Sequence, residues 1–134
     1  MYSFAQELGG IAVALEHRYF GESLPFGPNE TAYTQAQWAP LTLENVMDDA
    51  VALIDHIRTT IPNATQAPAF VASGSYGGFL ATMFRQNHAE TFTGALASAP
   101  PLRGFVGGNA TGAVDEFNWW RYLSVVASSI YEQC

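Results

Sequence analysis

The chain has 134 residues, 49% of them hydrophobic, and five basic against twelve acidic side chains give a formal net charge of −7. That length suits one domain or part of one, with ample apolar residues for a core. The shortage of Lys and Arg excludes a nucleic-acid surface, and no apolar run nears the ~18 residues that span a bilayer; the acidity fits a soluble protein, with work at low pH compatible with it.

In chain order, Tyr2 to Leu8 reads as the end of a helix closed by Gly9-Gly10. Ile11 to Leu15 is a continuous apolar run, as expected of a strand buried on both faces. Gly21 to Pro40, rich in Pro, Gly and Asn, reads as loop. Thr42 is placed to cap a long helix with Glu44 in its first turn, and Leu43, Val46, Ala50, Leu53, Ile54 and Ile57 form its apolar stripe. Asp48, Asp49, Asp55 and Arg58 lie mainly off that stripe, and Ile61-Pro62 ends the helix. Ala69 to Ala72 predicts a short buried strand, Gly77 to Asn87 a helix with Leu80, Met83 and Phe84 at helical spacing, and Thr93 to Ser98 a further buried strand ended by Ala99-Pro100-Pro101. Alternating helices and strands predict an α/β fold with a parallel sheet. Beyond Pro101, Gly104 to Gly112 is polar and glycine-rich, and Phe117 to Ile130 predicts a helix opening a second element.

Ser75 stands where the Phe70–Ala72 strand meets the following helix, in Ser73-Gly74-Ser75-Tyr76-Gly77-Gly78. This is the layout of a nucleophile elbow, G-x-S-x-G, with Ser73 at the first glycine position. The sharp turn demands small neighbours two residues to either side, here Ser73 and Gly77. An ordinary strand-to-helix loop shares some of this composition, but the strand–turn–helix context is the one the motif requires.

Asn29-Glu30-Thr31, Asn63-Ala64-Thr65 and Asn109-Ala110-Thr111 are glycosylation sequons in turn-rich segments, which predicts a secreted or lumenal protein. Met1 to Glu7 has neither the basic nor the apolar region of a signal peptide. Cys134 is the one cysteine, either a free thiol or half of a pair.

Glu16-His17-Arg18-Tyr19-Phe20-Gly21-Glu22-Ser23-Leu24-Pro25-Phe26, the elbow Ser73 to Gly78, and Gly94-Ala95-Leu96-Ala97-Ser98-Ala99-Pro100 together resemble the serine peptidase family of lysosomal prolylcarboxypeptidase and dipeptidyl peptidase II. Phe20 stands at a tyrosine position of the family signature and Ser73 at a glycine. The resemblance implies an α/β-hydrolase core over residues 1–101 and the start of a helical cap over 102–134. It implies Ser75 as nucleophile, the Tyr76 backbone N–H as an oxyanion donor, no cofactor, no metal, and a peptide substrate with proline near the scissile bond. It implies a secreted, lysosomal or vacuolar parent, with Asn29, Asn63 and Asn109 glycosylated and Cys134 paired to a cysteine further on. Glu16 and Arg18 are expected in a buried ion-pair network rather than in catalysis.

In such a fold the acid and histidine follow the serine in sequence. His17 and His56 precede Ser75, His88 reads as a surface residue at a helix end, and Asp115 matches no triad position. The chain is therefore expected to be an internal piece of a larger enzyme, inactive alone, with the triad Asp and His outside it and a gap in its sheet between Ile11–Leu15 and the Phe70 strand. The alternatives are a lipase or esterase of the same fold and a non-catalytic truncated product. Oligomeric state, and the choice between carboxypeptidase and dipeptidyl peptidase, stay open at this level.

Overall fold

A computed structural model describes residues 2–28, 33–102 and 118–131. The elements run α1 (Tyr2–Glu7), α2 (Gln35–Trp38), α3 (Leu43–Thr60), β1 (Ala69–Gly74), α4 (Ser75–Asn87), β2 (Phe92–Ser98) and α5 (Asn118–Tyr131). The chain is mixed α/β, as its alternating pattern predicts.

Local chemistry accounts for the helix ends. Gly9 takes φ +65°, a conformation that costs glycine little. That turn lets Gly10 N–H donate to Ala5 O at 2.8 Å and Gly9 N–H to Gln6 O at 3.1 Å, the paired bonds of a Schellman end to α1. Thr42 caps α3 by accepting from Asn45 N–H at 3.2 Å. At the other end Ile61 is extended, at φ −87° and ψ 125°, as a residue before proline prefers. α2 interrupts the stretch expected to be all loop. Its cause is a capping box: Thr34 Oγ1 accepts from Gln37 N–H at 3.3 Å, and Gln37 Oε1 accepts from Thr34 N–H at 2.9 Å.

β1 and β2 form a two-stranded sheet bridged by α4. Phe70 lies against Gly94, and Gly74 against Ser98, equal steps along both strands in the same direction, so the strands are parallel. Neither strand is buried as expected: Phe70 is 66% and Leu96 71% exposed. The Ile11–Leu15 run forms no strand, and Ile11, Val13 and Leu15 are all exposed. An apolar segment becomes a strand only by hydrogen-bonding to a neighbour. Among the described residues the sheet consists of β1 and β2.

Two units divide the chain, residues 1–71 with 83–94 and residues 72–82 with 95–134. In the first, Tyr19, Val46, Met47, Ala50, Ala64, Phe84 and Phe92 are buried. The Phe84 and Phe92 rings stack at 5.5 Å between centroids, which joins the end of α4 to the start of β2. Arg58 Nη2 donates to Ala67 O at 3.3 Å and Thr91 O at 3.1 Å, tying α3 to the approaches of both strands. In the second unit Leu80 and Ala81 on α4 are buried. α5 covers most of the predicted C-terminal helix, while Phe117 and Gly104–Gly112 lie outside the described residues.

If the stacked rings hold α4 to β2, Phe84→Leu and Phe92→Leu couple by at least ~0.5 kcal/mol in a double-mutant cycle. Urea denaturation measures this, and strictly additive losses would show that the stack contributes nothing.

Candidate active site

β1 ends at Gly74 and α4 begins at Ser75, so one residue makes the whole turn from strand to helix. Ser75 does so at φ +52°, in the left-handed region. That conformation costs an L-residue roughly 1–2 kcal/mol. The Ser75 and Tyr76 side chains are both exposed. The Tyr76 N–H belongs to the first turn of α4. The Tyr76 ring stacks with Phe79 at 6.3 Å.

The small neighbours each have a steric reason. A Cβ on Gly77 would overlap Ser73 Oγ and lie 3.0 Å from Ser73 Cβ. A Cβ on Gly78 would lie 3.0 Å from Ser98 O and 3.2 Å from Ser73 O. Serine is thus accommodated at the first position of the elbow, and a side chain at position 77 would have to displace its hydroxyl.

The Glu16–Ser23 segment folds on itself. Tyr19 N–H donates to Ser23 O at 2.8 Å, and Tyr19 and Gly21 take φ +70° and +53°. Glu16 Oε2 accepts from Glu22 N–H at 3.0 Å and Ser23 N–H at 2.8 Å, closing the loop. The Ser23 hydroxyl does most to hold the Glu16 carboxyl below its ordinary value; desolvation opposes it, and the Ser23 and Glu22 backbone donors add to the lowering. Gly21 is favoured by its φ, and a Cβ there would have to displace the Glu16 carboxylate from the loop.

Arg18 anchors this loop to the start of α3. Its Nε and Nη2 donate to Asp49 Oδ2 and Oδ1, each at 2.7 Å, Nη1 to Pro40 O at 2.8 Å and Nη2 to Asn45 O at 3.0 Å. The bond to Asp49 raises the guanidinium further above its already high value. Glu16 and Arg18 therefore do not share the expected buried network. Glu16 is exposed and serves its own loop, and the Arg18–Asp49 pair is partly exposed, at 19% and 39% of the side chains. Glu16 finds donors a few residues away, whereas Arg18 reaches across to another element. Tyr19 is buried, stacks on Trp38 at 4.9 Å, and donates its hydroxyl to Gln37 O.

Each histidine has described partners. His17 Nδ1 lies 2.8 Å from Arg18 O, with its ring edge-on to Phe20. His56 Nδ1 lies 3.5 Å from Thr60 Oγ1. His88 follows the last residue of α4, its N–H donating to Phe84 O and its Nδ1 3.4 Å from Glu90 Oε1. Asn63 is exposed in the turn after α3 at φ +66°, with Thr65 Oγ1 donating to Arg58 O at 3.4 Å. Asn29, Asn109, Asp115 and Cys134 lie outside the described residues. Among the described residues no cluster of His, Cys, Asp or Glu is arranged to hold a metal ion, and no helix is long and apolar enough to cross a membrane.

Sequence reasoning missed Asp49 as a partner and Gly21 as a contact. The signal for the second was present, since a glycine inside a charged, aromatic stretch marks a tight turn.

A strained, exposed serine between a parallel strand and a helix, with glycines at 74, 77 and 78, matches the layout expected of a nucleophile elbow. The serine carboxypeptidase S28 family matches residues 1–133, and the chain belongs to that family of serine peptidases. It is 43% identical over 102 residues to a lysosomal Pro-X carboxypeptidase of Pongo abelii, covering 76% of this chain and 20% of that protein. The corresponding figure for the lysosomal Pro-X carboxypeptidase of Homo sapiens is 42% over 102 residues, with the same coverage. A putative serine protease of Caenorhabditis elegans, pcp-1, is 32% identical over 131 residues, covering 92% of this chain and 23% of that protein. The chain spans 20% to 23% of the length of these curated relatives.

The Glu16 loop makes two checkable predictions. A carboxyl whose folded pKa is depressed stabilises the fold fully above its unfolded value and loses that contribution as pH falls through the folded one. Carboxyl NMR of the full-length protein should therefore place Glu16 below the ordinary value of 4.5, and a midpoint at or above it contradicts the loop geometry. Gly9 and Gly21 share a positive φ, but a Cβ on Gly9 meets nothing within 4 Å. Gly21→Ala should thus destabilise clearly more than Gly9→Ala, which reports backbone strain of ~1–2 kcal/mol alone; equal losses would remove the Glu16 contact from the account.

Proposed function

We propose that residues 1–134 carry the nucleophile of a proline-directed serine carboxypeptidase, with Ser75 as nucleophile and the Tyr76 N–H as one oxyanion donor. The observation that carries this reading is the φ of +52° at Ser75, at a strand–helix junction within the stretch matched by the family. In this reading residues 1–101 are the nucleophile-bearing part of an α/β-hydrolase core, and 102–134 begin its cap. Proline selectivity and the choice of carboxypeptidase are supported by the two mammalian relatives, named Pro-X carboxypeptidases.

The chemistry is acyl transfer. A histidine removes the Ser75 proton as Oγ bonds to the scissile carbonyl carbon, and the carbonyl electron pair moves onto oxygen, where backbone N–H groups hold it. Collapse breaks the C–N bond, the histidine returns its proton to the leaving amine, and water then cleaves the acyl-enzyme by the same route. The histidine and the acid that orients it come from outside residues 1–134. His17, His56 and His88 each lie on elements other than the elbow, against neighbours of their own.

A lysosomal setting is supported by the names of the mammalian relatives. There, Asn29, Asn63 and Asn109 carry glycans and Cys134 pairs with a cysteine further along the polypeptide. The depressed Glu16 carboxyl suits an acidic compartment, because it keeps the 16–23 loop closed to lower pH.

In the full-length protein carrying this segment, a fluorophosphonate probe should label Ser75, and Ser75→Ala should abolish both labelling and release of the residue that follows proline. Labelling that persists in the variant would assign the nucleophile elsewhere. Secretory expression should yield a protein that loses mass with an N-glycosidase, by less in Asn63→Gln; an unchanged mass would contradict the compartment.

A further inference from the structure

Ser75 has a structural counterpart on the neighbouring strand. Gly74 lies against Ser98, so the residues that follow them, Ser75 and Ala99, leave two parallel strands side by side. Both are non-glycine residues at positive φ, +52° and +46°. Ala99 precedes Pro100, which makes an α-type conformation costlier still. Such strain persists only where the surroundings over-determine it, and it concentrates at binding and catalytic sites. Pro100 and Pro101 stiffen this exit, and Leu102 N–H closes it by donating to Pro100 O at 2.8 Å.

Two further hydroxyls stand at the elbow. Ser73 is exposed, with its Oγ against the Cβ position of Gly77 and its O 3.2 Å from that of Gly78. Ser98 comes from the neighbouring strand, its O and N lying 3.0 and 3.4 Å from the Cβ position of Gly78. Its side chain is exposed, with Cβ 3.9 Å from the Cβ position of Gly74, and no described residue hydrogen-bonds its hydroxyl. The carboxyl ends of neighbouring parallel strands are where α/β proteins bind ligands.

We propose that Ser98 is a substrate-binding residue, its hydroxyl hydrogen-bonding a peptide group of the substrate whose carbonyl Ser75 attacks. This rests on the peptidase reading of Ser75. The strained, proline-stiffened exit at Ala99 restricts the backbone that carries Ser98, so less backbone entropy is lost in forming the bond.

The test compares Ser98→Ala and Ser98→Thr with the unaltered full-length protein carrying residues 1–134. Two readouts are needed, steady-state cleavage of a proline-containing peptide with a free carboxyl end and the rate of fluorophosphonate labelling at Ser75. Loss of one neutral hydrogen bond made equally to substrate and transition state raises KM about fivefold in Ser98→Ala and leaves kcat unchanged. Labelling by the small probe, which carries no peptide group, stays at the unaltered rate, and Ser98→Thr keeps KM close to the original. Unchanged KM in Ser98→Ala with normal labelling overturns this proposal alone. Labelling and cleavage falling together in Ser98→Ala would make Ser98 a support of the elbow and also overturn it. Failure of the unaltered protein to label at Ser75 instead overturns the peptidase reading on which the proposal rests.

Discussion

Ser75 joins a strand to a helix with no residue to spare, and does so in a backbone conformation that L-amino acids avoid. The neighbours that hold it there follow from that constraint. Ser98 and Ser73 carbonyls crowd the Cβ position of Gly78, and a side chain at Gly77 would have to displace the Ser73 hydroxyl. The parallel register of β1 and β2 brings Ser98 against the turn, and α4 projects from it. Strain of this kind is tolerated where rigid elements on both sides leave the residue no alternative.

The 16–23 loop achieves rigidity by different means. Two positive φ values and a carboxylate accepting backbone N–H groups close it locally, and Arg18 then fixes it through four hydrogen bonds to α3 and the residues just before it. A bidentate guanidinium–carboxylate pair specifies orientation as well as proximity, which lysine at this position would not do. An exposed carboxylate closing its own loop adds little to global stability but defines one loop conformation. That accounts for charged residues conspicuous in the sequence without giving them a chemical step.

Much of this was readable from residue order. The Thr42 cap, the Ile61-Pro62 stop, the Gly9-Gly10 end and the serine between an apolar strand and a helix are local signals, each set by residues within a few positions of one another. Burial was less legible. Ile11 to Leu15, Phe70 and Leu96 have the composition of covered strands, yet they are exposed among the described residues, because cover is supplied by partners and not by a segment's own pattern. Asp49 read as part of a solvated helix face, and its pairing with Arg18 spans a sequence separation that no periodicity encodes. The short α2 was missed although its Thr34–Gln37 box was present, since one turn of helix carries no hydrophobic period.

The central claim, that Ser75 is held in left-handed strain, is tested most directly by comparing the stabilities of Ser75→Gly and Ser75→Ala in the full-length protein by denaturant unfolding. In an ordinary helical conformation alanine is favoured over glycine by roughly 1 kcal/mol. At a left-handed position the order inverts, because alanine keeps the steric penalty and glycine sheds it. The account predicts that Ser75→Gly is the more stable of the two. A more stable Ser75→Ala would show that the residue is not strained and that the elbow is an ordinary helix start.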